Sequence, residues 1–329
     1  MEGSRSSNSS PSRSRLRPPL VVDPLEQAGF VSKGDTVLLN VKAQFAYYER
    51  IMERYLKFCN DYSSDIDAAF ASLPKYSTED ATKNPPVAGA STADTQSPPN
   101  QAPQNKSSRP ETLSDSASKD LSVLLLSLRK LREGVVATAS ETPLEFAQHV
   151  HVFCIRMGIL AAHPPSYYAP LRRLLHELNE PSSALSESDL HEFTSYLILD
   201  YVCRRSDLNL AFELRAKSKA AFGYYNITVD NIVSALLHDN WVLYWKSGRH
   251  VDGYTRSLMS WSDSYMRRRA LKAIAKTYLT ADIRFIIECC TGSPDGCTWE
   301  ELVKLEGIGW RREGDKAVIR IRKPKAKAA

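Results

Sequence analysis

The sequence has no long apolar run. Its densest, Leu121-Ser-Val-Leu-Leu-Leu-Ser-Leu128, is far short of the roughly 20 residues that span a bilayer. The polar start, Met-Glu-Gly-Ser-Arg, lacks the apolar stretch of a secretory signal. A nuclear or cytoplasmic chain without membrane contact is expected, and with it reduced thiols at the six cysteines, 59, 154, 203, 289, 290 and 297. There is no phosphate-cradling Gly-x-x-x-x-Gly-Lys loop, no Gly-x-Gly-x-x-Gly and no Gly-x-Ser-x-Gly elbow. Gly307-Ile-Gly309 is an isolated pair and reads as a helix stop. Metal chemistry is equally thin. His149 and His151 stand two apart on an expected helix, so their side chains diverge by about 200°. Cys289, Cys290 and Cys297 lack zinc-site spacing, with no histidine after Asp252, and read as small buried hydrophobes. These absences predict a non-enzymatic chain with no cofactor, metal or small-molecule substrate.

What is present is ordinary for a globular protein: 43% hydrophobic and 25% charged residues over 329 positions. The net charge of +5 is uneven. From Arg311 to Ala329 eight Lys/Arg outweigh Glu313 and Asp315, a local +6, and Arg5, Arg13, Arg15 and Arg17 make the other end basic. Basic ends fit an acidic partner or nucleic acid, and equally a solubilising or nuclear-import tail.

Residues 1–35 begin with a Ser/Arg/Pro stretch too polar to offset chain entropy and are expected to be disordered. Over 36–73, Leu38, Val41, Phe45, Tyr48, Met52, Tyr55, Cys59, Tyr62, Ile66, Ala69 and Leu73 alternate at spacings of three and four, which predicts one long heptad-patterned helix. Such a helix docks on a partner or packs on its own chain. Tyr and Phe are bulky for a two-stranded zipper, which favours internal packing. Residues 74–117 form a Pro/Ser-rich linker with seven prolines up to Pro110. From 118 to 262 the helical period dominates: helices are expected at 118–134 (closed by Gly134), from Pro143 to 160, and at 166–179, 187–204, 206–222, 228–238, 240–247 and 253–262, followed by 264–278. Paired helices with short polar turns point to a helical-repeat, solenoid-like bundle, although no fixed-period repeat is visible.

The pattern changes in 263–323. Ala281–Cys290 is short and apolar, Gly292-Ser-Pro-Asp-Gly296 is a turn, and Thr298-Trp-Glu-Glu301 has the form of a capping box. Trp310–Glu313 and Lys316–Lys323 read as strands around Gly314-Asp315, with Ile319 and Ile321 alternating against Arg320 and Arg322. Helix, helix, turn, helix and β-hairpin is the order of a winged helix. Ala270, Leu271, Ile274 and Tyr278 form the stripe expected to pack on it. Residues 324–329 are a basic tail. The fold expectation is thus mostly α: a helical-repeat bundle followed by a C-terminal winged helix with a small β-hairpin.

Two segments, Ala235-Leu-Leu-His-Asp-Asn-Trp-Val-Leu-Tyr-Trp245 and Tyr265-Met-Arg-Arg-Arg-Ala-Leu-Lys-Ala-Ile-Ala-Lys-Thr-Tyr278, resemble the PCI family. The branch is the one that groups GANP-like mRNA-export scaffolds with small proteasome-lid, signalosome and initiation-factor-3 subunits. The likeness extends from about residue 143 to 322. The resemblance implies helical repeats packed on a winged helix that assembles with other subunits of a PCI-containing complex, with a lean toward mRNA processing or export.

Two functional expectations follow. In the first, the chain is a scaffold subunit, with Trp310, Ile319 and Ile321 as candidate interface residues; Trp310 is read as a packing residue or an exposed anchor, both open. In the second, the winged helix and tail hold RNA or DNA through Arg267, Arg268, Arg269, Lys272, Arg311, Arg312, Arg320, Arg322 and Lys323, because phosphate contacts dominate such binding. On α-helical residues 267–276 the same basic cluster is equally a solvated face.

Overall fold

The computed structural model describes residues 24–74, 76, 113–179 and 184–320. The Ser/Arg-rich start, most of the Pro/Ser-rich linker, Ile321, Arg322, Lys323 and the basic tail lie outside the described residues.

The described chain is mostly helical. Residues 24–35, assigned to a disordered N-terminus by composition, instead carry a short helix, α1 (Pro24–Gln27), and a 3-10 turn at Val31–Lys33; a second 3-10 turn, Val37–Leu39, follows at the start of the expected 36–73 helix. Leu25, Ala28 and Leu38 are sunk in the main core, which supplies the apolar burial that the Ser/Arg stretch before them lacks.

The expected helix over 36–73 is two helices, α2 (Val41–Asp61) and α3 (Ile66–Phe70). Asn40 caps α2 by accepting from the amides of Lys42 and Ala43. The break follows from Ser63-Ser-Asp65, short polar side chains that compete for backbone groups; Asp65 becomes the cap of α3, accepting from Ala68 N at 3.0 Å. The buried line of α2 is Gln44, Tyr47, Ile51 and Phe58, one position before the heptad line. Phe45, Tyr48 and Tyr55 flank it and meet α5 (Leu144–Leu160) through ring contacts with Phe146 and Phe153.

Helix α4 (Leu113–Ala137) begins inside the expected linker and buries Leu121, Leu124, Leu128, Leu131 and Val135 along one face. It does not stop at Gly134. A Cβ there would stand 2.6 Å from the Leu38 carbonyl oxygen, so this glycine is the place where two backbones touch. Beside that contact Gln44 Nε2 donates to Leu38 O and to Thr138 Oγ1, both at 2.8 Å, and Thr142 Oγ1 donates back to Gln44 Oε1 at 3.2 Å. A buried network with its members satisfied fixes the N-terminal segment on the α4–α5 corner.

Helices α6 (Pro164–His176), α7 (Glu187–Leu199), α8 (Leu208–Phe222), α9 (Ile227–Leu237), α10 (Trp241–Gly248), α11 (Gly253–Met259) and α12 (Asp263–Thr277) follow. Pro164-Pro165 opens α6, where missing amides cost nothing. Helix α7 runs into a π-helical turn, Asp200–Arg204. One core joins α1 to α12, from Leu25 to Met266. The heptad helix is therefore part of the main body.

The last elements are β1 (Thr280–Asp282), α13 (Ile283–Thr291), α14 (Trp299–Glu306), β2 (Arg311–Glu313) and β3 (Lys316–Val318). The strands form an antiparallel sheet of order β1-β3-β2, with Ala317 opposite both Ala281 and Arg312. Strand β1 overlaps the start of the short apolar stretch Ala281–Cys290, where no strand was expected, and β3 is shorter than the expected Lys316–Lys323. After Val318 the amides of Ile319 and Arg320 both turn to Leu279 O, at 2.8 and 3.1 Å.

Candidate functional site

Helix α12 links the two cores. Met266 belongs to the first; Ala270, Leu271 and Ile274, one and two turns on, belong to the second with Ile283, Ile286, Ile287, Cys290, Trp299, Leu302 and Ala317. The expected stripe is thus found at Ala270, Leu271 and Ile274. Tyr278 departs from it. It is the C-cap residue, with extended backbone (φ −110°, ψ 147°), so its side chain swings off the helical face. It is 44% exposed and meets Phe285 edge-on.

The joint between the cores is tight. Trp241 packs against both, and Trp245 Nε1 donates to Cys289 O at 3.0 Å. Gly292, in left-handed conformation at φ 80°, ends α13 where a Cβ would fall 2.4 Å from Trp245 Cβ. Helix α14 starts with the expected capping box: Thr298 Oγ1 accepts from Glu301 N, and Glu301 Oε2 accepts from Thr298 N at 2.8 Å. Those hydrogen bonds hold the Glu301 carboxyl below its usual range.

The arginines named as nucleic-acid contacts mostly face carboxylates of the same chain. Arg267 Nε and Arg268 Nε donate to the two oxygens of Glu306, at 2.8 and 3.1 Å, and the Glu306 side chain is 1% exposed. Arg269 pairs with Asp239 at 3.0 Å and lies against the Tyr265 ring and hydroxyl. Arg312 pairs with Glu300 at 2.6 Å, Arg311 with Glu313 at 3.4 Å, and Arg320 donates to Lys276 O at 2.7 Å. Arg268, Lys272 and Arg311 face solvent. Glu306 and Asp239 were missed by sequence reasoning, and no spacing rule reaches them, since the partners lie far apart along the chain.

Trp310 is half-buried and packs on the second core, as does Ile319. Every residue of β2 is exposed, and among the described residues its outer edge pairs with no other strand. At the opposite edge, by β1, Tyr278, Leu279 and Phe285 form an apolar group, each at least 40% exposed.

The cysteines lie as expected for packing residues: Cys290 is buried, with its thiol pushed up to about 12 by desolvation, and Cys289 and Cys297 are half-buried, raised by the same cause. His149 is exposed while His151 is fully buried, so they do diverge. Among the described residues no group of three His, Cys, Asp or Glu side chains is placed to hold a metal, and no helix is long and apolar enough to cross a membrane.

No protein-family model matches the chain, and no curated protein matches it.

Proposed function

We propose that this chain is a non-catalytic scaffold subunit of an intracellular multiprotein complex, assembling through a PCI-type helical-repeat body and a C-terminal winged helix. The observation that carries the reading is the order of the last elements: helix α12, strand β1, helices α13 and α14, then the hairpin β2–β3, with the sheet ordered β1-β3-β2 and α12 built into its core. That order supports the reading as a winged helix, a helix-turn-helix variant with a β-hairpin. The unit is fixed on the helical body by Trp241 and Trp245, while it leaves a strand edge and an apolar group outside. Unpaired edges and exposed apolar patches are what subunits cover in each other. The resemblance of Ala235–Trp245 and Tyr265–Tyr278 to the export-type branch leans the reading toward PCI-containing assemblies concerned with mRNA; the proteasome lid, the signalosome and the initiation factor are the alternatives.

The nucleic-acid reading draws less support. Arg267, Arg269 and Arg312 are held by carboxylates, so phosphate would have to displace an internal partner at each.

Affinity purification of the tagged full chain from native extract, at two salt concentrations and with or without nuclease, tests the proposal by mass spectrometry. Recovery of the same PCI-type subunits in high salt and after nuclease is expected. Recovery only of RNA-binding proteins, lost on nuclease or added salt, would overturn it.

A further inference from the structure

Away from the C-terminal unit, helices α4 and α6 enclose a cavity of about 240 Å³ between Arg129, Arg132, Cys154, His163 and Ser166, floored by Leu125. Among the described residues no carboxylate lines it. Among the described residues Arg132 has neither a hydrogen-bond nor an ion-pair partner, although it is half-buried. Burial weighs against its charge, Arg129 and Arg173 repel it, and Glu133, close enough to be felt, makes no ion pair with it. Cys154 supplies no counter-charge, because desolvation pushes its thiol up to about 12. A desolvated guanidinium without a partner is costly, and that cost is relieved by an anion.

The site is also shaped for one. Arg129 is held by its place over the Phe30 ring, 5.2 Å from the centroid. His163 Nδ1 and Ser166 Oγ are 2.8 Å apart, which fixes the ring. An adjoining space of about 430 Å³ shares Leu125, Arg129, His163 and Ser166 and continues past Leu73 and Tyr76, so the cavity has a way in. At about 30 Å³ of liquid per water, the inner 240 Å³ takes a tetrahedral oxyanion with water to spare.

We propose that this cavity binds a phosphoryl group, with Arg132 and Arg129 donating to its oxygens and Ser166 completing the contact. Planar guanidinium forks suit phosphate oxygens and form charge-assisted hydrogen bonds. The group arrives either as free phosphate or on a phosphorylated side chain. This site is independent of the scaffold reading, since none of its residues belongs to the C-terminal unit.

Thermal unfolding of the full chain across an inorganic phosphate titration, with chloride holding ionic strength constant, tests the assignment in wild type, Arg129→Gln and Arg132→Gln. A saturable rise in Tm is expected for wild type, as any ligand of the folded state alone produces. In each variant its midpoint should move to about tenfold higher phosphate or more. Arg129 is exposed, so its variant remains informative whether or not Arg132→Gln folds. A phosphoserine peptide titrated in parallel separates the sources: tighter binding than phosphate assigns the group to a side chain, weaker binding to the free ion. A rise that never saturates, or one equal in all three proteins, is the general salting effect of phosphate and would overturn the proposal.

Discussion

Glu306, the last residue of α14, accepts a hydrogen bond from Arg267 Nε of α12 at 2.8 Å, with the two side chains 1% and 17% exposed. Removing one member of a buried pair strands the other, so Glu306→Ala should destabilise the protein by about 3 kcal/mol. Arg268, which shares the carboxylate, is 72% exposed. Screening by solvent leaves Arg268→Ala a loss of about 1 kcal/mol or less. Urea unfolding of the two variants checks this; equal losses would show that Glu306 is not the buried lock between the helices.

Gly134 provides a test in which two effects have opposite sign. On helix propensity alone, Gly→Ala inside α4 should stabilise by about 1 kcal/mol. A Cβ at Gly134, however, meets the Leu38 carbonyl oxygen at 2.6 Å and Leu38 Cβ at 2.9 Å. One of those atoms is backbone, which cannot rotate aside, so the contact should win and Gly134→Ala should cost about 1–3 kcal/mol. Denaturant unfolding decides by sign.

That glycine also shows where sequence patterns stop being informative. Read as punctuation, it closed a helix; in space it admits the 3-10 backbone of Leu38, far away in the chain, a distance no local rule spans. The local features were legible: the Thr298–Glu301 capping box and the Ala270, Leu271, Ile274 stripe each depend on residues within a turn or two. Over 36–73 the spacing of three and four persisted through Ser63-Ser-Asp65, because side-chain hydrogen bonding that ends a helix leaves the apolar period untouched. Strand β1 has only three residues, too few for alternation to register. The basic cluster was read without its carboxylates, and Arg132 was not singled out, because both are defined by long-range neighbours.

His151 should give the protein an acid-sensitive limb. Its ring is fully buried, Nδ1 donates to Ala147 O at 2.7 Å, and Nε2 has no partner. Burial lowers its pKa from 6.5 to about 4. The unfolded chain therefore takes up a proton before the folded one does, and stability falls as pH drops from 6.5 toward 4. At 1.36 kcal/mol per pH unit the loss is about 3 kcal/mol across that window. Urea unfolding at a series of pH values should show a shallower decline for His151→Leu than for wild type; parallel curves would remove the histidine from the account.

Asp200, at the start of the π-helical turn, is fully buried and accepts from three donors: Tyr167 OH at 2.6 Å, Arg204 Nε at 2.6 Å and Arg204 Nη2 at 2.8 Å. Burial first, and then the neighbouring carboxylate, raise the Tyr167 phenol well above its ordinary range, so it remains a donor at every physiological pH. The triad joins α6 to the end of α7, and its members differ in what their loss leaves behind. Tyr167→Phe removes one donor and leaves the ion pair, a cost of about 1.5–3 kcal/mol for a hydrogen bond to a charged group. Asp200→Asn keeps the volume but strands Arg204, whose side chain is 13% exposed, and should cost about 3–5 kcal/mol. The double variant should cost clearly less than the sum, because once the carboxylate is gone the phenol has no charge to solvate. Strict additivity in denaturant unfolding would mean that Tyr167 is held by packing rather than by Asp200.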